Sequence, residues 1–259
     1  MTPSSVRRPF KIAATVTVIA GVFLGYNSYA YYREAAAPHT SSAQSFAIRP
    51  AASPTDIRYV AVGDSYTIGT GALTEQAWPE VLTRSLRSKG VKISLVANLG
   101  VDGWTTQKAI DRELPVYDEA APQFATLMIG VNDTYRETTP DQFRVRFCTL
   151  LDHMIDKLPL KSRIVAIDIP DFTVTPSGAR YASASAVKNI REFNTIIDEE
   201  SAKRGVPVVS VTALSRRMGS DLSLVAEDRL HPSAREYALW ARRIEPMALS
   251  VLNAKCSLP

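Results

Sequence analysis

From Ile57 onward, short apolar runs rich in Val, Ile and Leu alternate with longer stretches of helical spacing, and this alternation constrains the fold more than any other feature. The runs are Arg58–Val62, Ile93–Asn98, Phe124–Ile129, Arg163–Ile169 and Pro207–Val211. Continuous apolar runs of this kind are expected of strands buried on both faces. Between them the apolar residues fall into stripes. Across Thr139–Leu158, Phe143, Phe147, Leu150, Leu151, Met154 and Leu158 share one helical face. Thr139-Pro140 ahead of Asp141 marks a helix start. Gly90 and Gly205 each follow a helical pattern and precede a strand, the place of a C-terminal cap. A last amphipathic stretch runs from Pro232 to about Asn253. Five β-then-α units predict an α/β fold, a three-layer α/β/α sandwich around a five-stranded parallel sheet. Sites in such sheets lie at the carboxyl ends of the strands.

The N-terminal part of the 259 residues is of a different kind. Arg7, Arg8 and Lys11 precede an apolar run from Ile12 to Leu24. That order predicts residues 1–34 to be either a secretory signal peptide or an uncleaved membrane anchor. Ser28-Tyr29-Ala30 supplies small residues for cleavage. An anchor would instead span through Tyr32, attaching the chain to a membrane by residues 12–32. Both readings put the remainder outside the cytoplasm. Residues 35–55, rich in Ala, Ser, Thr and Pro and containing His39, read as a flexible linker. The folded domain is expected over 56–259. Residues 1–33 hold four basic side chains and no acid, so the other 26 basic residues balance all 26 acidic ones. A neutral remainder gives no support to a nucleic-acid surface, which needs a basic face on the folded domain, so no nucleic-acid partner is expected.

Four strand ends carry polar residues suited to acyl transfer. They are Gly63-Asp64-Ser65, Asn98-Leu99-Gly100-Val101-Asp102-Gly103-Trp104, Gly130-Val131-Asn132-Asp133 and Asp228-Arg229-Leu230-His231. A hydroxyl nucleophile needs a base within hydrogen-bond reach, and the base needs an orienting partner. Ser65 follows a strand and precedes a helical segment, so its hydroxyl can stand at the sheet rim. Its own N–H can face a developing oxyanion near a helix N-terminus. Gly103 permits close backbone approach, and the Asn132 amide is a neutral donor for the same oxyanion. His231 would take the Ser65 proton, with Asp228 fixing the imidazole tautomer. Taken singly, each block has a plainer reading. Ser65 can cap a helix, Asn132-Asp133 can be a turn, and Asp228 and His231 can cap the last helix, with Pro232 in its first turn.

Together and in this order, the blocks resemble those of the SGNH hydrolases, also called the GDSL esterase/lipase family. The resemblance runs from Tyr59 to the C-terminal helix. It implies a flavodoxin-like fold and metal-independent hydrolysis of esters or thioesters, with no cofactor. Carried over residue by residue, it makes Ser65, Asp228 and His231 catalytic. It places Ser65, Gly103 and Asn132 in the oxyanion hole, with Asp64 in support. Gly103 is preferred to Gly100 because Asp102-Gly103-Trp104-Thr105-Thr106 better matches the family's Gly-x-Thr ending of that block.

Other chemistries lack their motifs. No Gly-x-Ser-x-Gly surrounds Ser65, Gly69-Thr70-Gly71 does not continue as a phosphate loop, and no metal-spaced cluster occurs. His153, off the apolar stripe, reads as a solvated surface residue. Cys148 and Cys256 either pair or remain free thiols. Asp171–Tyr181 reads as a mobile rim loop over the site. Phe172, Trp104, Tyr66 and Tyr135 either line an acyl pocket or pack, with packing favoured for at least two. The expected function is an extracytoplasmic serine esterase acting through an acyl-enzyme, as a monomer. Its substrate would be a small-molecule, lipid or glycan acyl ester: short-chain, lysophospholipid or O-acetyl. An acyltransferase or a non-catalytic envelope- or carbohydrate-binding module on the same fold is the alternative.

Overall fold

The computed structural model describes residues 46–254. The N-terminal segment, His39 and Cys256 lie outside the described residues, and with them the leader, anchor and cysteine-pairing expectations. Among the described residues no helix is long and apolar enough to cross a membrane.

Five parallel strands form one sheet: β1 (Ile57–Gly63), β2 (Ile93–Asn98), β3 (Phe124–Met128), β4 (Ile164–Ile167) and β5 (Val208–Val209), in the order β2-β1-β3-β4-β5. The order reverses at β1, so the crevice between the ends of β1 and β3 is the topological switch point. All five expected strands are present, and two end early because side chains take over the backbone. The Asn194 amide bonds both the N–H and C=O of Ile169, at 2.7 and 3.0 Å, which ends β4. The Asp168 carboxylate collects the Val211 amide and the Ser210 and Thr212 hydroxyls, which turns the chain away after β5.

The helices used below are α1 (Ser65–Ile68), α2 (Trp78–Ser88), α3 (Leu114–Glu119), α4 (Val131–Tyr135), α5 (Pro140–Lys157), α6 (Ala184–Lys203) and α7 (Ala234–Asn253). On one face of the sheet α2 packs with α7; on the other α5 packs with α3 and α6. The predicted stripe of α5 is buried from Phe143 to Leu158. Phe143 stacks on Phe193 of α6 with ring centroids 4.1 Å apart. Thr139 starts α5 through a capping box with Gln142. α7 starts at Ala234 rather than at Pro232, because Pro232 is drawn into an antiparallel bridge with Val225 and Ser233 becomes the cap position.

The domain begins earlier than residue 56. Phe46 packs edge-on against Trp104, the Arg49 amide bonds the Val96 carbonyl at 2.8 Å, and the Ala52 amide bonds Ser94 Oγ at 3.0 Å. The part of the expected linker from Phe46 onward is therefore docked on the sheet edge. His153 is only partly exposed and meets Asp118 Oδ1 at 2.8 Å.

Candidate active site

β1 ends in Gly63 and the chain turns straight into α1. Asp64 is the N-cap: its Oδ1 accepts the Tyr66 N–H at 3.0 Å. Ser65 is thus the first helical residue rather than the cap, and its N–H has no acceptor within the helix. The turn is anchored from outside. Glu113 Oε2 accepts the Gly63 N–H at 2.9 Å, Asn98 Nδ2 donates to the Thr67 carbonyl at 2.9 Å, and the Tyr237 hydroxyl donates to the Thr70 carbonyl at 2.9 Å.

His231 Nε2 lies 3.0 Å from Ser65 Oγ, and His231 Nδ1 lies 2.6 Å from Asp228 Oδ2. The carboxylate accepts, so Nδ1 carries the proton and Nε2 presents its lone pair to the hydroxyl. Asp228 Oδ1 accepts the Leu230 and His231 amides at 2.8 and 2.9 Å. Arg229 between them sits at φ 63°, a left-handed conformation that folds Asp228 back onto His231. Asp228 and His231 therefore do not cap α7; they form a turn ahead of it. Partial burial pushes the Asp228 carboxyl up, but hydrogen bonds from the His231 ring and the two amides outweigh it and hold the group at about 2. It stays ionised throughout the neutral range. The His231 ring rests against Tyr66, with centroids 5.2 Å apart, and Tyr66 stacks in turn on Trp240 of α7.

Asn132 lies on α4, directly after β3, and is 3% exposed. Its Nδ2 donates to the Trp104 carbonyl at 2.8 Å, and its Oδ1 accepts from the Tyr135 hydroxyl. One N–H of the amide is left over. Asp133 points the other way: its carboxylate accepts the Thr106 N–H and hydroxyl at 2.9 and 2.7 Å, tying the second block to the third. Burial raises the Asp133 carboxyl despite those bonds.

The two glycines of the second block have different jobs. Gly103 sits in a turn at φ 74°, where a Cβ would meet only the tip of Arg136 at 3.4 Å. Gly100 packs against the nucleophile turn: a Cβ there would lie 2.5 Å from both the Asp64 carbonyl oxygen and the Ile68 nitrogen. These are backbone atoms and cannot swing aside. Gly100→Ala is expected to destabilise the fold by about 1–3 kcal/mol and to displace Ser65. Gly103→Ala is expected to cost about 1–2 kcal/mol, through its φ alone. Urea unfolding checks the stabilities. A Gly100→Ala protein as stable and as active as the parent would contradict this assignment.

A small cleft, about 50 Å³ in volume, opens beside Ser65 and His231 and is lined by Tyr66, Val131, Asn132, Tyr135, Phe172, Tyr181 and Leu230. Of the four aromatics singled out from sequence, Tyr66, Tyr135 and Phe172 line it. Trp104 does not; it packs on Phe46 and offers its carbonyl to Asn132. Tyr66 and Phe172 are also fully buried packing residues. The Asp171–Tyr181 rim consists of two short 3-10 turns over Phe172–Val174 and Gly178–Tyr181. It is tied to the Asp228 turn: Ser177 donates its amide to the Arg229 carbonyl at 2.8 Å and its hydroxyl to the Asp228 carbonyl at 3.1 Å. Glu113 and Tyr135 as a hydrogen-bond donor carry no motif in the sequence, and Ser177 is there only a turn residue. Asp133 belongs to the third block, but its bond to Thr106 cannot be read from the sequence. Among the described residues no cluster of His, Cys, Asp or Glu is arranged to hold a metal ion.

The profile of the GDSL-like lipase/acylhydrolase family matches residues 61–239. No curated protein matches the chain in sequence. Several solved structures share the fold. A lipase/acylhydrolase from Enterococcus faecalis is 23% identical, with a TM-score of 0.60, over 74% of this chain and 94% of that one. The psychrotrophic esterase EstA from Pseudoalteromonas sp. is 18% identical, with a TM-score of 0.59, over 76% of this chain and 100% of that one. Axe2, an acetylxylan esterase from Geobacillus stearothermophilus, is 16% identical, with a TM-score of 0.58, over 81% of this chain and 97% of that one.

Proposed function

The chain belongs to the GDSL-like lipase/acylhydrolase family and is a hydrolase acting on esters, and from that premise we propose that it is an extracytoplasmic serine esterase for short acyl groups, working through a Ser65–His231–Asp228 triad. The observation that carries this reading is the unbroken hydrogen-bonded chain from Asp228 through His231 to Ser65 at the mouth of the cleft.

In the proposed reaction Ser65 Oγ attacks the acyl carbonyl carbon while its proton passes to His231 Nε2. The imidazolium is stabilised by the ionised Asp228. The carbonyl oxygen becomes an oxyanion and accepts from the Ser65 N–H, the Gly103 N–H and the spare Asn132 Nδ2–H. Collapse breaks the ester bond, and His231 returns the proton to the departing alcohol. Water then attacks the acyl-Ser65 ester by the same route and releases the acid.

The small cleft beside Ser65, walled by Tyr66, Tyr135, Phe172 and Tyr181, favours a short acyl chain. The basic-then-apolar order of residues 7–24, read as a leader or anchor, supports a location outside the cytoplasm.

The test is hydrolysis of 4-nitrophenyl esters from acetyl to palmitoyl by the full chain and by Asn132→Ala. Turnover is expected to peak at the short end. Asn132→Ala is expected to lower kcat by roughly 10²–10³, the loss that follows removal of one oxyanion donor. A long-chain optimum would overturn the substrate reading. A change in KM alone would make Asn132 a binding residue.

A further inference from the structure

We propose that Tyr135 is a positioning residue whose hydroxyl fixes which edge of the Asn132 amide faces the cleft. The inference rests on the reading of Asn132 as an oxyanion donor.

A primary amide has two edges of nearly equal shape. With Nδ2 toward the reacting carbonyl it stabilises an oxyanion. Turned over, its own oxygen would repel one. Two neighbours decide between these states. The Trp104 carbonyl can only accept, so the atom 2.8 Å from it must be Nδ2. Oδ1 is then on the Tyr135 side, and the hydroxyl there must donate. Each bond enforces the other, and together they leave one Nδ2–H unused. Donation to Oδ1 also polarises the amide, which strengthens its remaining N–H as a donor.

The fold supplies Tyr135 for this task. Asn132 and Tyr135 are three residues apart on α4, so their side chains share one face. The tyrosine ring is held by Tyr181 at 5.1 Å and by Phe172 edge-on at 5.9 Å. The residue is 36% exposed at its rim, but burial around the phenol raises it to about 12, against the opposing charge of Arg136, so the hydroxyl keeps its proton at neutral pH. The same ring lines the cleft. A bulky acyl group that shifted it would disturb the oxyanion donor as well.

The experiment uses the full chain and the variants Tyr135→Phe, Asn132→Ala and the double variant, with 4-nitrophenyl acetate as substrate and a methylphosphonate ester as transition-state mimic. Phenylalanine keeps the ring and its two aromatic contacts and removes only the hydroxyl. Tyr135→Phe is expected to lower kcat about 10-fold, as loss of one hydrogen bond of about 1.4 kcal/mol would, with KM within twofold. The rate of phosphonylation should fall by the same factor. In the Asn132→Ala background, Tyr135→Phe should change kcat less than twofold. An unchanged kcat, a change confined to KM, or a full 10-fold loss on top of Asn132→Ala overturns the role of Tyr135. If Asn132→Ala alone leaves kcat intact, the oxyanion reading of Asn132 falls, and this inference falls with it.

Discussion

Replacing Ser65 by alanine is expected to lower ester turnover by about 10⁴–10⁶-fold, the scale of loss when the nucleophile of a serine triad is removed. The structure explains why the loss should be confined to chemistry. The Ser65 hydroxyl meets His231 Nε2 and takes no part in starting α1, which Asp64 does through the Tyr66 amide. Alanine is also a better helix former than serine. The melting temperature should therefore stay within a few degrees of the parent. Hydrolysis of 4-nitrophenyl acetate by the two full-length proteins at matched concentration is the measurement, with circular dichroism as the check on folding. Some activity above the uncatalysed rate should persist. His231 can still activate a water, and the Asn132 amide and the backbone donors are untouched. A variant that kept more than about a hundredth of the parent rate would remove Ser65 from the mechanism.

What could be seen in the sequence was what depends on chain-local pattern. The five strands announce themselves because both faces of a parallel strand are buried, so their residues are mostly apolar. α5 announces itself by Thr139-Pro140 at its start and a six-residue stripe. The four blocks were visible because chemistry requires particular residue types just past strand ends. The supports of those blocks were not visible. Glu113 ends a π-helical turn over Ala109–Glu113, and only the tertiary fold brings its carboxylate to the Gly63 amide. Asn194 and Asp168 end strands through side chains that are distant in sequence. Gly100 and Gly103 look alike in sequence. Only the path of α1 gives each its role: a Cβ at Gly100 would strike its backbone, whereas one at Gly103 would meet only the tip of Arg136. Phe46 was read as linker because its neighbours are small and polar; the surface that receives it, Trp104, lies far along the chain.

Asp64→Asn is expected to make the protein markedly more stable above neutral pH and to leave it nearly unchanged in mild acid. Asp64 is fully buried beneath the nucleophile turn. Its Oδ1 accepts the Tyr66 amide, and its Oδ2 finds no partner among the described residues. Burial raises the carboxyl, the Tyr66 and Val131 amides lower it in part, and the nearby Asp133 and Asp102 raise it again, to about 7. The ordinary value is 3.8. Between roughly pH 4 and pH 7 the folded protein therefore holds a proton that the unfolded chain has released. Stability falls as pH rises through that window, and the loss is complete once the folded carboxyl has ionised. The full difference corresponds to roughly 4 kcal/mol. Asparagine keeps the Oδ1 acceptor that starts α1 and cannot ionise. Glu113 and Asp133, also raised by burial, titrate in both proteins; ionised Asp64 raises Glu113 further, so the variant relieves that repulsion too, in the same direction. The melting temperature of the variant relative to the parent should climb steadily from pH 4 to pH 8, by on the order of 10 °C in a domain of this size. A difference that does not vary with pH would mean that Asp64 is already ionised in the folded state at pH 4. The fold would then have to solvate or pair Oδ2. If the climb is seen, the turn that presents Ser65 rests on a protonated carboxyl, and the fold gains stability as the pH falls toward 5 while Asp228, held at about 2, remains charged to orient His231.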